Sequence, residues 1–369
     1  MNENGIERVK RKTRFVVSAL LQVLDSDSNE DLITMVYNEQ ARKRRKARVA
    51  IKNYVENVVS FYADDFKCHF RLRKDTFEHL LQILGPSLKE QNATGVGRHT
   101  YPPEKQLVKL VAEKFDISKS TAWLYVKKVC TLLVDLSGQY ICWPTGQKLQ
   151  QIKETFKERQ GFPDVIGAID GTHIPISPPL NEQAAYCNRN RYHSIILQGV
   201  CDTNYMFTDV FTGYPGSVHD ARVFANSPLA KRIGENASDL FPNNTHLLGD
   251  SAYKCTKYML TPFRDDGHLS RKKNYNYKHS STRVYIEQSF AFLKGRFRIL
   301  KPVNVYNTAF ISKIIVACCV LHNICIQKND NLETEEHYED ITPQDYYCTE
   351  KDCSGFAKRD EIADKLISV

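Results

Sequence analysis

The chain has 369 residues, of which 42% are hydrophobic, 11% aromatic and 25% charged. This composition is typical of a globular protein with a large buried core and argues against a disordered or fibrous chain, while the length favours two structural units. The longest apolar run, residues 314–321, is much shorter than the roughly 20 residues of a bilayer span, so we expect no membrane helix.

The formal net charge of +8 hides a strong asymmetry along the chain. Residues 330–369 carry twelve acids against four Lys/Arg, which leaves about +16 on the first 329 residues. A body this basic favours a polyanionic partner, and charge alone does not separate nucleic acid from an acidic protein. The N-terminus lacks the apolar region of a signal peptide, so we expect a reducing compartment in which the eleven cysteines are free thiols. They are scattered without a CxxC pair, so we expect no structural zinc site.

The N-terminal segment, residues 1–60, is polar and contains the cluster RKRRKAR at residues 42–48. Such a cluster is typical of a solvated helix face, and equally of a nuclear import signal or a phosphate contact. Both interpretations stay open on the sequence alone.

Residues 61–160 are predicted to form a helical subdomain. Apolar residues recur at helical spacing from Phe77 to Leu84, and Gly85-Pro86 is expected to end that helix.

A second helical pair, at residues 104–115 and from Ser118 onward, has the spacing of a helix-turn-helix. Lys119, Trp123 and Lys127 line one stripe of its second helix. That stripe is either a nucleic-acid-binding face or the solvated face of an ordinary helical hairpin.

From residue 161 onward the pattern predicts an α/β domain, residues 161–328, followed by an acidic tail at 329–369. Strands are predicted at residues 165–169, 192–200, 205–211 and 246–248. Helices are predicted at residues 219–226, 283–300, 310–327 and, within the acidic tail, 358–366. The first three strands follow one another closely, as in a meander.

Three acids fall at positions where side chains can meet. Asp170 and Asp250 each follow a predicted strand, and the end of a strand is where a side chain can project into a crevice. Glu287 lies on a helix, on a stripe that it shares with three cations. These cations are Arg283, Lys294 and Arg298.

Converging carboxylates suit hard divalent cations such as Mg²⁺ or Mn²⁺, and two such ions can hold the attacking and leaving oxygens of a phosphodiester in line. Residues 253–301 contain twelve Lys/Arg and three acids, a balance that a DNA groove requires. Arg189 and Arg191, in CNRNRYH, are further candidates for phosphate contact, the alternative being a polar entry into a strand.

Each acid also has an ordinary structural interpretation. Asp170 before Gly-Thr is a candidate turn former, Asp250 a candidate helix N-cap, and Glu287 a candidate for a surface ion pair. Asp220, a fourth candidate metal ligand, has capping-box-like spacing with Ser217, and on spacing alone a cap is favoured.

Six segments carry a resemblance to a known family. They are, in order, GFPDVIGAIDGTHI, YHSIILQGVCD, FTGYPGSVHDARVF, LLGDSAY, VYIEQSFAFLKGRFRIL and VACCVLHNI. Over residues 61–328 the chain resembles the transposase-derived nucleases of the PIF/Harbinger type, above all the domesticated Harbinger-derived nucleases of animals.

The resemblance implies a ribonuclease-H-like mixed sheet flanked by helices, and a DDE triad that falls on Asp170, Asp250 and Glu287. It further implies a divalent metal cofactor, a nuclear or mixed nuclear and cytoplasmic location, and a Myb/SANT-like DNA-binding partner. The chain departs from the family in the helix-turn-helix region, which is shorter by about three helical turns.

We therefore expect a metal-dependent endonuclease that hydrolyses DNA, with no membrane association. The alternative is a domesticated adaptor that keeps the fold and the basic groove and binds DNA or a partner without turnover. A purely structural role is least favoured, because it gives no reason for acids in a basic cleft.

Overall fold

The computed structural model describes residues 66–67, 71–90, 119–179, 182–264, 270–330 and 352–367. The basic cluster at 42–48, the helix predicted at 104–115 and the acidic stretch at 331–351 lie outside the described residues. The contacts divide the chain into two units, and each is described by itself below.

The first unit comprises residues up to Tyr140 with Pro175–Leu180 and Leu293–Thr334. Its helices are α1 (Lys74–Glu90), α2 (Lys119–Asp135), α3 (Ser137–Tyr140) and α9 (Thr308–Gln327). Helix α9 packs against α2 and α3. The prediction that Gly85-Pro86 ends the first helix is wrong, because α1 continues through Pro86 to Glu90. The loss of one backbone hydrogen bond at proline is tolerated there, with Leu88 still buried beyond it.

Helix α9 is long and apolar enough to cross a membrane by length and composition alone, with a mean hydropathy of 2.1 over 18 residues. However, 72% of that stretch is buried inside the protein, as in a core helix. Its N-terminus is capped by the side chain of Asn307, which accepts a hydrogen bond from the Phe310 backbone N–H at 2.9 Å.

The second unit comprises Ile141–Ile174, Asn181–Phe292 and Glu335–Val369. Its sheet has the strand order β3-β2-β1-β4-β5. The strands are β1 (Val165–Pro175), β2 (Ser194–Cys201), β3 (Phe207–Pro215), β4 (His246–Leu248) and β5 (Met259–Leu260). Strand β1 runs parallel to β4 and β4 parallel to β5, whereas β2 and β3 are antiparallel. The predicted mixed α/β sheet is thus confirmed.

Helices surround this sheet. They are α4 (Gly146–Gln160), α5 (Gln183–Tyr186), α6 (Asp220–Ala225), α7 (Pro228–Leu240), α8 (Ser270–Arg296) and α10 (Cys353–Lys365). A short 3-10 turn lies at Pro242–Asn244, and another, at Arg298–Leu300, belongs to the first unit. Helix α8 packs Phe290 against Phe207 of β3, with 5.7 Å between ring centroids, and Tyr285 against Phe156 of α4 at 5.4 Å. These contacts fix the helix that carries Glu287 against the sheet.

The C-terminal helix α10 begins at Cys353, before the start that was predicted at residue 358, and it packs close to β5. Lys358 is buried and donates to three backbone carbonyls, those of Asn244, Thr245 and Lys257. Gly355 lies so close to Thr256 that a Cβ on the glycine would stand 2.6 Å from the threonine Cα. Helix α10 therefore belongs to the folded core of the second unit.

Candidate active site

Strand register places two of the predicted acids beside each other. Ala168 of β1 pairs with Leu248 of β4 in a parallel ladder, so the residues two positions later, Asp170 and Asp250, lie at the same level. Neighbouring strands in a sheet are about 4.8 Å apart. The adjacency of these two carboxylates therefore follows from the pairing of the strands.

Asp170 lies within β1, not after it as predicted. The strand continues because Thr172 and Ile174 keep alternating toward the interior after the glycine. Asp170 does make a local contact of the turn-forming kind, since its Oδ1 accepts a hydrogen bond from the Gly171 N–H at 2.8 Å. Its other oxygen, Oδ2, pairs with Arg283.

Arg283 bridges the first acid and the third. Its Nη1 lies 2.6 Å from Oδ2 of Asp170, and its Nη2 lies 2.5 Å from Oε1 of Glu287, one helical turn later on α8. All three side chains are largely shielded, with 15%, 18% and 22% exposed for Arg283, Asp170 and Glu287. Arg283 is thus held by the acids, whereas the sequence had suggested a substrate contact.

Asp250 is not a helix N-cap. The residues after it form a turn, in which its Oδ1 accepts a hydrogen bond from the Ala252 N–H at 3.0 Å. Burial, and then the negative charge of Asp170, raise the pKa of Asp250 to about 6, although the Arg283 guanidinium acts in the opposite direction. The folded protein therefore resists ionisation of this carboxyl.

Asp220 joins the same acidic cluster. It is the first residue of α6, whose N-cap is His219, so the predicted cap at Ser217 is wrong. The carboxylate approaches β1 so closely that a Cβ on Gly171 would lie 2.2 Å from its Oδ1. Burial raises the pKa of Asp220 to about 7, with further contributions from Asp170 and Asp250.

The sequence analysis missed Tyr253. Its ring is 1% exposed, and its buried hydroxyl has no hydrogen-bond partner among the described residues. Burial, and after it the charges of Asp220, Asp170 and Asp250, raise its pKa well above the usual value. A buried hydroxyl in this position can donate a hydrogen bond to a ligand within the acidic cluster. Its place three residues after Asp250 in GDSAY was the available clue.

The donor chemistry of this cluster suits a hard divalent cation, since four carboxylates and a hydroxyl supply only oxygen atoms. The raised pKa values of Asp220 and Asp250 show crowding that a bound cation would relieve. Among the residues that the structure describes, however, no three acidic, histidine or cysteine side chains are already arranged around a metal position. Part of the acidic charge is compensated by Arg283 instead.

The other predicted nucleic-acid-binding residues belong to both units. Arg189 and Arg191 are exposed in the second unit. In the first unit Lys127 is exposed, Arg298 is half-buried, and burial lowers the pKa of half-buried Lys294 to about 8, with the Lys301 charge acting in the same direction. The side chain of Lys119 lies outside the described residues. Their role in binding stays a prediction.

Trp123, the aromatic residue of the stripe predicted to bind nucleic acid, takes part in the packing between helices. Trp123 packs edge-on against Phe310 of α9, with 5.1 Å between ring centroids. The Nζ of Lys127 lies 5.4 Å from the Trp123 ring and 5.8 Å from the Phe310 ring. Trp123 and Lys127 therefore take part in the packing of α2 on α9, which a cation–π contact stabilises.

One acid lies within the central strand β1, a second follows the parallel strand β4, and a third lies on a helix packed against the sheet. Together with the strand order, this arrangement defines a ribonuclease-H-like domain of the DDE type. Residues 169–323 match the family described as DDE superfamily endonuclease. No solved structure matches the chain.

Curated relatives extend the match. The rat protein named "Putative nuclease HARBI1" is 31% identical over 265 residues, covering 68% of this chain and 74% of the rat protein. Its human counterpart is 32% identical over 264 residues, covering 68% and 74%. The Arabidopsis protein named "Antagonist of like heterochromatin protein 1" is 26% identical over 332 residues, covering 82% and 84%. The chain belongs to the Harbinger-derived family of DDE superfamily endonucleases.

Proposed function

We propose that this chain is a divalent-metal-dependent endonuclease that hydrolyses phosphodiester bonds in DNA. The observation that carries the proposal is the convergence of Asp170, Asp220, Asp250 and Glu287 in one shielded cluster. Three of these acids, Asp170, Asp250 and Glu287, act on the single Arg283, which is more negative charge than one structural ion pair requires.

Asp170, Asp250 and Glu287 would hold the metal, with Asp220 as a fourth ligand. A bound Mg²⁺ or Mn²⁺ supplies a Lewis acid and a more acidic water molecule at neutral pH. Arg283 orients the carboxylates of Asp170 and Glu287 through two charge-assisted hydrogen bonds.

Metal binding to this cluster should depend on pH. Without metal, Asp250, with a pKa raised to about 6, and Asp220, with a pKa raised to about 7, ionise close to neutral pH. A cation that binds these carboxylates must displace their protons, so it should bind more tightly as the pH rises. The Tyr253 hydroxyl is placed to donate a hydrogen bond to an oxygen bound in the cluster.

The test is nicking of supercoiled plasmid by the purified full chain with Mn²⁺. Asp170→Asn should abolish nicking while circular dichroism and the melting temperature show a folded protein. Asp209→Asn is the matched control, because Asp209 is also a half-buried acid of this sheet, with a pKa raised to about 6 by burial, but outside the cluster. Nicking that is unchanged in Asp170→Asn would refute the assignment.

The second candidate is a non-catalytic adaptor that binds DNA or a partner protein. Two observations favour it: Arg283 already compensates two of the acids, and one relative is named for antagonism of a heterochromatin protein. Calorimetry with Mn²⁺ separates the two functions, since the nuclease must bind the metal and the adaptor need not. DNA binding that persists after the loss of Asp170, Asp250 and Glu287, without any nicking by the parent chain, would support the adaptor.

The cellular setting is proposed on the family alone. We place the protein in the nucleus and also in the cytoplasm, acting on DNA together with a Myb/SANT-like DNA-binding protein that supplies sequence specificity. Imaging of the tagged full chain in cells and co-purification with such a partner test these two statements.

A further inference from the structure

A small hairpin close in sequence to β2 carries two exposed arginines. Cys187 and His193 pair as an antiparallel bridge, and the Asn188 N–H donates to the Tyr192 carbonyl at 3.0 Å. The tip between them, residues 188–192, turns through Arg191, whose φ is +64°. We refer to residues 187–193 as the Asn188 hairpin.

The side chain of Asn188 fixes the conformation of the tip. It is 4% exposed, and its Oδ1 accepts hydrogen bonds from the backbone N–H groups of Asn190, at 3.0 Å, and Tyr192, at 3.3 Å. Its Nδ2 donates to Oγ of Ser194 at 3.2 Å. A tip with three such bonds from one buried amide presents its outward side chains with little loss of conformational entropy on binding.

Ser194 connects this hairpin to the two segments that carry acids of the cluster. Its Oγ lies 3.0 Å from Nδ1 of His173, three residues after Asp170 on β1. Its carbonyl accepts from the Gly216 N–H at 2.9 Å, four residues before Asp220, and a Cβ on that glycine would lie 2.1 Å from the serine Oγ. The hairpin is therefore held at a set position relative to Asp170 and Asp220.

Two of the exposed residues of the tip are cationic. Arg189 and Arg191 both point to solvent, and Tyr192 beside them is 36% exposed, with its ring 6.4 Å from that of His173. The positive charge of Arg189 lowers the pKa of Asp220, so this guanidinium lies within electrostatic reach of the acidic cluster. A rigid arginine pair next to an acidic site suits a ligand with regularly spaced anionic groups, because guanidinium groups bind phosphate through paired hydrogen bonds.

We propose that the Asn188 hairpin is a phosphate clamp that binds the DNA backbone beside the cleaved bond, with Arg189 on the phosphate nearer to the acidic cluster and Arg191 on a neighbouring one. This inference rests on the proposed nuclease function for its ligand. Asn188 is a positioning residue, since it holds the tip and does not touch DNA.

The experiment measures binding of a fluorescent DNA duplex to the full chain in EDTA, as a function of salt concentration, so that cleavage plays no part. Each phosphate contact contributes about 0.9 to the slope of log K against log salt for duplex DNA. Arg189→Gln and Arg191→Gln should each reduce the slope by about 0.9 and the double variant by about 1.8. Arg→Lys at either position keeps the charge and should leave the slope unchanged.

Lys231→Gln is the matched control, because it removes one cation from α7, where the Lys231 side chain is 79% exposed and pairs with Glu235. Its slope should stay at the parent value. A slope that falls equally in Lys231→Gln and Arg189→Gln would overturn the clamp, since net charge would then account for the effect. Parent protein that fails to bind DNA would overturn it too.

Two further results separate this inference from the proposed function. Absence of Mn²⁺-dependent nicking by the parent chain would refute the nuclease, yet the slope change at the two arginines would still support the clamp. If polyglutamate displaced DNA as well as a second duplex does, at equal charge concentration, the hairpin would be a site for acidic proteins and the clamp would be wrong.

Discussion

Replacement of Asp220 by asparagine should make the metal-free protein more stable while it removes function. Burial and two neighbouring acids raise the Asp220 pKa from 3.8 to about 7. Because the folded pKa lies above that of the unfolded chain, the folded protein holds an extra proton between about pH 4 and pH 7. The free energy of unfolding therefore falls as the pH rises through that interval, and an uncharged asparagine avoids the loss.

The size of the gain follows from the shift. One pKa unit corresponds to about 1.4 kcal/mol, so a shift of about three units sets an upper figure of about 4 kcal/mol above pH 7. Asparagine still loses hydration on burial, and Asp170 and Asp250 still repel each other. We expect a gain of about 1–3 kcal/mol near pH 8 that shrinks as the pH falls toward 4.

Urea unfolding of the full chain in EDTA, at several pH values between about 5 and 8, measures this gain. The same variant should lose the rise in melting temperature that Mn²⁺ gives the parent, and should lose nicking. Asp209→Asn, as the control, should show a similar pH dependence but keep the response to Mn²⁺. If Asp220→Asn is destabilised equally at both ends of the pH range, Asp220 makes a structural contact and the reasoning is wrong.

Three further predictions concern the arginine, the C-terminal helix and the helical unit. Arg283→Gln should lower the free energy of unfolding in EDTA by about 2–4 kcal/mol, because the two shielded acids that Arg283 bridges lose their counter-ion. Mn²⁺ should raise the stability of this variant by more than it raises that of the parent. An equal response of both proteins to Mn²⁺ would contradict this prediction. Gly355→Ala should lower the free energy of unfolding by about 1–3 kcal/mol, since the new methyl group would overlap the Thr256 backbone. Helix α10 should then be cleaved in limited proteolysis. An unchanged digestion pattern would contradict the packing of α10 against the residues near β5. Trp123→Ala should lower the free energy of unfolding by about 2 kcal/mol, because its contact with Phe310 is lost. The slope of log K against log salt for DNA binding should stay unchanged. A reduced slope would instead support the prediction that this face of α2 contacts DNA.

The sequence was sufficient for the type of fold, whereas the acidic triad follows from the family resemblance and stays a prediction. The strands at 246–248 and near 192–200 can be predicted because their apolar runs are bounded by turn residues. The strand β5 cannot be predicted in this way, because the two residues Met259 and Leu260 are too short a run to show an alternating pattern. Asp170 was misplaced after its strand, since the glycine that follows reads as a breaker and only the burial of Thr172 and Ile174 shows that the strand continues.

The arrangement of the site could not be derived from spacing. The side-chain register of Asp170 and Asp250 depends on strands about 80 residues apart, and the sequence carries no measure of how they align. Arg283 was assigned to the substrate because its stripe on α8 is basic, whereas in the folded chain it neutralises acids from two elements. Asp220 has the spacing of a cap, and only its approach to β1 shows that it belongs with the other acids.

Gly171 decides how closely β1 and α6 approach, since the smallest side chain in its place would overlap the Asp220 carboxylate. A Gly171→Ala change would leave every acid and every basic residue in the sequence, yet it would push the Asp220 carboxylate away from β1. A comparison of related sequences by their acids alone would therefore miss a change that disturbs the acidic cluster. The residue at this position is a second criterion, and it can be read from the sequence without a structure.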